Sequence, residues 1–191
     1  MQTSTKPIVA IIGRPNVGKS TLFNRLAGRQ SAIVSDIAGT TRDRVTTEAV
    51  WGDRTFILVD TGGLDLGETG GLGDEIRAQI DVAMDGADVV VLLTDSEAGA
   101  TPGDLDAANL LRIGGNPVVV GANKAENEKR QLQAQEFYTL GLGEPVPISA
   151  YHNQGIDDLM ARVIALLPPE QPADEVEADI KLAIVGRTNV G

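Results

Sequence analysis

The phrase Gly13–Arg14–Pro15–Asn16–Val17–Gly18–Lys19–Ser20 fits the pattern G-x-x-x-x-G-K-S/T, and it narrows the possible fold more than any other feature of the chain. It follows an apolar β-branched run, Ile8–Ile12, and leads through Thr21 into a stretch with Leu22, Phe23 and Leu26 at helical spacing. In that context of strand, turn and helix, the glycines let backbone N–H groups turn inward around phosphate oxygens. The helix N-terminus adds its dipole. Lys19 is placed to reach β- and γ-phosphates, and Ser20 to ligate Mg²⁺. Without the flanking strand and helix the same letters would read as a glycine-rich turn.

The phrase nearly recurs. Ile184–Val185–Gly186–Arg187–Thr188–Asn189–Val190–Gly191 repeats Ile11–Gly18 and lacks only the lysine step. The expected organisation is a nucleotide-binding domain over 6–167, an acidic proline-rich linker over 168–179, and over 180–191 the first strand and partial phosphate loop of a second copy.

Composition bounds the partners. The chain has 191 residues, 42% of them apolar, which is enough for one buried core. No apolar run approaches the roughly 18 residues of a membrane span, and the N-terminus does not read as a secretory signal, so no membrane partner is expected. There is no cysteine, which fits a reducing, cytoplasmic setting. The formal net charge is −11, a poor basis for generic nucleic-acid binding, so an RNA contact would need a local basic patch or another part of a longer protein.

Short β-branched runs at Ile8–Ile12, Phe56–Val59, Val89–Leu93, Val118–Val120 and Val146–Ile148 read as buried strands. Thr46–Trp51 reads as an edge strand, antiparallel to Phe56–Val59 through a turn at Gly52–Asp53. Helical patterns lie between the strands. The clearest is Gly155–Leu167, with Ile156, Leu159, Met160, Val163, Ile164 and Leu167 on one face. The alternation predicts an α/β fold with a mostly parallel sheet covered on both faces, and ligands at the carboxyl ends of its strands.

Three further phrases fall where such a ligand would lie. Asp60–Thr61–Gly62–Gly63 ends the Phe56–Val59 run; a carboxylate there can hold Mg²⁺, and Gly63 lets the backbone approach a γ-phosphate. Asn123–Lys124–Ala125–Glu126 follows the Val118–Val120 run. A carboxylate at Glu126 can accept from the two adjacent donors on the guanine edge, a pair that adenine lacks. Asn123 and Lys124 would brace that loop and cover the base, and Ser149–Ala150 would complete the pocket. Gly39–Thr40–Thr41–Arg42–Asp43 lies in a polar stretch, where Thr41, or failing that Thr40, can join the Mg²⁺ shell. Alone each is an ordinary turn; their order behind a phosphate loop makes them informative.

Together these stretches match the five nucleotide motifs of translation-factor-type GTPases. The variants Gly-Arg-Pro-Asn-Val-Gly-Lys-Ser, Gly-Thr-Thr-Arg-Asp and Asp-Thr-Gly-Gly resemble the Era/EngA group, and Ala100–Thr101–Pro102 after Asp95 is similar as well. The tandem phrase singles out the EngA (Der) family of double-GTPase ribosome-assembly factors. The resemblance covers Lys6 to Leu167 and resumes at Ile180. It implies a Ras-like P-loop GTPase fold, GTP and GDP as ligands, hydrolysis with Mg²⁺, and a role in assembling the large ribosomal subunit. It also implies a second GTPase domain and a KH-like RNA-binding domain, neither complete here.

Two departures stand out. The family's N-K-x-D motif ends here in Glu126, and Leu64 stands where many GTPases place a water-orienting glutamine. An aliphatic side chain cannot orient water by hydrogen bonding. Asn16 either ligates a K⁺ that replaces an arginine finger, as related GTPases with asparagine there imply, or supports the loop. The catalytic set on this reading is Lys19, Thr41, Gly63 and Asn16. Gln30–Asp43 and Leu64–Gly73 read as switch segments that order with GTP. Arg14 and His152 read as exposed, Trp51 as packing, Asp157–Asp158 as acidic residues stabilising a helix start, and Glu126–Arg130, Glu126 apart, as a solvated helix start. The competing readings are a nucleotide-gated docking module with little hydrolysis, which Leu64 favours, and an ATP-dependent small-molecule kinase, which Asn123–Glu126 disfavours.

Overall fold

The computed structural model describes residues 6–28, 45–61 and 72–169. The expected β-branched runs are strands: β1 Ile8–Ile12, β2 Val45–Trp51, β3 Arg54–Asp60, β4 Val89–Asp95, β5 Val118–Asn123 and β6 Val146–Pro147. Among the described residues they form one sheet in the order β2-β3-β1-β4-β5-β6. Every neighbouring pair is parallel except β2 and β3, which run antiparallel across the turn at Gly52–Asp53. β6 is only two residues long; Ile148 lies just past it, buried, its N–H on the Ala122 carbonyl at 2.9 Å.

The helices are α1 Lys19–Ala27, α2 Leu72–Met84, α3 Pro102–Gly114, α4 Glu128–Gln133 and α5 Ile156–Leu166, with a 3₁₀ turn at Ala134–Leu140. Period-two alternation in the strands splits the core into two layers. In β1, Val9 and Ile11 pack with Leu22 and Phe23 of α1 and Leu159, Met160 and Val163 of α5. Ala10 and Ile12 face the other way, onto Ile76 and Ile80 of α2, Ala107 and Leu111 of α3, and Phe137. Helices therefore cover both faces of the sheet, as strand–helix alternation requires. The apolar stripe of α5 buries Ile156, Leu159, Met160 and Val163, with Ile164 half-buried at its margin.

Local chemistry sets the boundaries. Thr101 caps α3 in a reciprocal box with Asp104, with Pro102 opening the helix. Asp157 and Asp158 occupy the first turn of α5. Two boundaries depart from expectation. Leu72 and Gly73 belong to the first turn of α2 rather than to a glycine-rich loop. α4 starts at Glu128, not Glu126, because Asn127 is its N-cap and accepts from Arg130 N–H at 3.0 Å. The bulk of the linker and the repeated strand, residues 170–191, lie outside the described residues, as do nearly all of the two expected switch segments. No helix among the described residues is long and apolar enough to cross a membrane.

Candidate functional site

The parallel order brings the carboxyl ends of β1, β3, β4, β5 and β6 to one edge of the sheet. The phosphate loop leaves β1 there. Gly13 has φ 152°, and a Cβ on it would lie 2.3 Å from the Leu93 carbonyl oxygen, so a side chain cannot fit. Asn16 turns the loop at φ 64°, and Val17 is buried beneath it. Gly18 enters α1 in the left-handed region, φ 101°. Lys19 is buried, and its ammonium donates to the carbonyls of Gly13 at 2.7 Å and Arg14 at 2.9 Å. The loop is thus wound around its own lysine, with Ser20 and Thr21 exposed on the first turn of α1.

The Arg14 side chain is not exposed. It runs to α3, where its Nε donates to Asp104 at 2.9 Å, and only 16% of its side-chain surface remains accessible. The cause is Asp104, whose carboxylate serves the α3 cap and is itself buried, so it draws in a cation. Arg14 contributes backbone to the phosphate loop and its charge to the packing of α3.

Asp60 ends β3 in register with Ile11 of β1, buried beside the start of the phosphate loop. Thr61 is tied to the same strand: its hydroxyl donates to the Ile11 carbonyl at 2.7 Å. Gln79 of α2 joins the two loops, accepting from Gly13 N–H at 3.1 Å with the same oxygen lying 3.3 Å from the Thr61 hydroxyl. Sequence reasoning missed Gln79, though a polar residue within the buried stripe Ile76–Ile80–Ala83 was a usable signal. Gly62, Gly63, Leu64, Thr40 and Thr41 lie outside the described residues. The hard oxygens of Ser20 and Asp60 suit Mg²⁺, which prefers hydroxyl and carboxylate donors.

The second half of the site follows β5. Asn123 is buried and bonds in two directions: its Nδ2 donates to the Val17 carbonyl at 2.7 Å, and its Oδ1 accepts from Ala150 N–H at 2.9 Å. One side chain thereby ties the phosphate loop to the segment after β6. Lys124 has φ 62° and donates to Asp95, at the end of β4, at 2.5 Å. Ala125 N–H reaches the Ile148 carbonyl at 2.9 Å. Arg25 of α1 donates to the carbonyls of Ala150 at 3.1 Å and Tyr151 at 2.7 Å. Glu126 pairs with Arg130, which is half-buried rather than a solvated cation.

These loops enclose a cavity of about 350 Å³. Its lining includes Asn16, Gly18 and Thr21 at one end and Asn123, Lys124, Glu126 and Ser149 at the other. Exposed His152 also borders it, its ring edge-on to Tyr151 with centroids 4.9 Å apart. A separate cavity of about 380 Å³ between α2 and α3 has none of the phosphate-loop residues in its lining. The motif cavity is lined by phosphate-loop residues at one end and by a carboxylate with an amide group at the other, which suits a ligand with a phosphate tail and a polar, flat head.

Known proteins agree with this geometry. Residues 8–124 match the family model described as 50S ribosome-binding GTPase. GTPase Der of Herpetosiphon aurantiacus is 49% identical over 192 residues, covering 97% of this chain and 42% of that protein. The chain therefore spans well under half the length of this relative. Among solved structures, a variant of Aquifex aeolicus Era bound to GDP.AlF4- superposes with a TM-score of 0.67 and 30% identity, over 90% of this chain and 61% of that one. Era in complex with MgGDPNP and nucleotides 1506–1542 of 16S ribosomal RNA gives a TM-score of 0.66 and 32% identity, over 88% of this chain and 59% of that one. The fold is that of the Ras-like GTPases, as the motifs implied. With the model matching most of its length and Der as a relative, the chain belongs to the family of 50S ribosome-binding GTPases.

Proposed function

We propose that this chain is a GTP-binding and GTP-hydrolysing switch domain of a factor that helps assemble the large ribosomal subunit in the cytoplasm. The observation that carries the reading is the pair of hydrogen bonds made by the Asn123 side chain. By fastening the Val17 carbonyl and the Ala150 N–H at once, it fixes the distance between the phosphate end and the base end of one cavity. A site rigid across that span selects a whole nucleotide rather than a free phosphate.

On this reading the amides of Gly13–Ser20 surround the phosphates, and Lys19 exchanges its bonds to Gly13 and Arg14 for bonds to β- and γ-oxygens. Glu126 accepts from guanine, and Ser149–Ala150 close over the base. Ser20 and Asp60, with Thr41, would hold Mg²⁺. When bound, Mg²⁺ would supply neutralisation of charge on the transferred phosphoryl group. Gly63 approaches the γ-phosphate by its backbone. Asn16, exposed at the cavity, is the candidate ligand for a K⁺ that would replace an arginine finger, as the resemblance to GTPases with asparagine at this position implies. The domain reading that goes with this function is a first GTPase domain over 6–167, an acidic proline-rich linker over 168–179, and over 180–191 the first strand and partial phosphate loop of a second GTPase domain. Era with MgGDPNP and ribosomal RNA supports a ribosomal setting; RNA contact by this acidic chain would need a local basic patch or another part of a longer protein.

Competition calorimetry with GTP and ATP in Mg²⁺ buffer tests the ligand. The expected result is GTP preference of at least about 100-fold, as recognition by buried polar groups gives. Equal affinities would overturn it in favour of an ATP-dependent enzyme. Single-turnover hydrolysis in K⁺ against Na⁺ at equal ionic strength tests the rest. Faster turnover in K⁺ is expected. Equal rates remove the potassium role. Tight binding with no turnover in either salt leaves the docking module, the reading that Leu64 favours.

A further inference from the structure

Glu126 replaces the aspartate of the N-K-x-D motif, and it does not stand alone at the cavity. Arg130 donates from Nη1 to Glu126 Oε1. The same guanidinium donates from Nη2 to Glu97 Oε1 at 2.7 Å and reaches the Lys124 carbonyl at 3.5 Å. Its backbone is fixed by the Asn127 cap at 3.0 Å. Glu97, Glu126 and Arg130 all line the cavity. An ordinary i,i+4 pair on a helix surface has one partner and both members in water. This guanidinium has three acceptors, drawn from the loops after β4 and β5, and is half-buried.

We propose that Arg130 is a positioning residue for guanine specificity, which orients the longer Glu126 carboxylate toward the N–H donors of the base. The inference rests on the GTP reading above. Glutamate has one more rotatable bond than aspartate, so a free Glu126 would lose rotamer freedom on binding. Arg130 holds it before the ligand arrives. A carboxylate has about four lone-pair sites, and Arg130 occupies one, which leaves enough for the two guanine donors. Glu97 anchors Arg130 from the far side, so the guanidinium is itself pre-set.

The test is calorimetry with GDP and IDP, since inosine lacks the 2-amino donor of guanine. In the unaltered chain GDP binds more tightly than IDP. Arg130→Ala weakens GDP about tenfold and IDP only about threefold, because inosine keeps one of the two base donors that the misplaced carboxylate served and the phosphate end is untouched. Arg130→Lys recovers part of the difference, having the charge without the planar fork. In a Glu126→Asp background, whose shorter side chain needs no brace, Arg130→Ala costs GDP less than about threefold. Equal weakening of both nucleotides, tighter GDP binding, or an unchanged GDP-to-IDP ratio in Arg130→Ala overturns the proposal while leaving GTP recognition intact. Failure of the unaltered, folded chain to bind GDP removes both.

Discussion

The two ends of the cavity are built from different materials. The phosphate end is backbone: glycines at 13 and 18 in conformations that exclude side chains, and one lysine around which the loop winds. The base end is side chains: Asn123 and Lys124, held by Val17, Ala150 and Asp95 from other parts of the sheet, and Glu126, held by Arg130, which is itself anchored on Glu97 after β4. A backbone site is specified by a contiguous string and tolerates change at its variable positions. A side-chain site depends on contacts that only the finished sheet creates. The phosphate end should therefore fail through chemistry when altered, and the base end through geometry.

Lys19→Ala is the sharpest challenge to the first half of that contrast. It removes the ammonium that links the Gly13 and Arg14 carbonyls and, on the proposed reading, meets the γ-phosphate. A fall in hydrolysis of about 100- to 1,000-fold is expected, the cost of one preorganised charge at a transferring phosphoryl group. GDP binding should weaken while the GDP-to-IDP ratio holds. Phosphate-release kinetics measure the first and calorimetry the second. A change in that ratio would mean the two ends are not separable.

Asn123→Ala attacks the join. It leaves the Val17 carbonyl and the Ala150 N–H without their partner in a buried setting. Each orphaned group costs about 1–3 kcal/mol, so thermal or urea unfolding should register a loss of about 2–6 kcal/mol. Affinity for GDP should drop about tenfold or more, because the cavity ends lose their fixed spacing. Unchanged stability would mean that water replaces both bonds, and the spacing argument would fail.

Gly18→Ala comes next. Its new Cβ would meet Asn123 Nδ2 at 2.4 Å, and its φ of 101° strains any L side chain. A cost of about 1–3 kcal/mol in stability is expected. The amide side chain, displaced, should also weaken GDP, although the substitution lies in the phosphate loop. Loss of stability without loss of guanine preference would show that Asn123 moves aside and that the two ends are less coupled than their hydrogen bonds suggest.

What could be read in advance follows the same division. The phosphate loop was legible because its residues are consecutive and its flanking strand and helix are periodic. The strands were legible because β1, β4 and β5 are buried on both faces and so read as unbroken apolar runs. The α5 stripe was legible from its spacing of apolar residues. Arg14 was misjudged because its partner, Asp104, is 90 positions away and meets it only through sheet order. Gln79 escaped for the same reason, 66 positions from Gly13. Arg130 was misjudged although Glu126 is close in sequence, since its anchoring to Glu97 requires β4 and β5 to pair. Periodicity says which face of an element is buried; it does not say which polar residues on neighbouring elements will meet.

Arg25→Ala carries the smallest expected effect and draws the finest line. Arg25 sits on α1, directly behind the phosphate loop, yet both of its bonds go to the base end, to the carbonyls of Ala150 and Tyr151. The bond to the Ala150 carbonyl is only part-buried and the Tyr151 contact is exposed, so water can replace both and stability should fall by no more than about 1 kcal/mol. The segment after β6 should loosen, weakening GDP about two- to fivefold, mostly through faster dissociation, as is usual when a contact in a formed site is removed. Stopped-flow displacement of a fluorescent GDP analogue resolves that rate. If association slowed instead, Arg25 would be acting on how the nucleotide enters rather than on how it is held. The base end would then depend on α1 for access, and the division between a backbone half and a side-chain half would need to be redrawn along the helix.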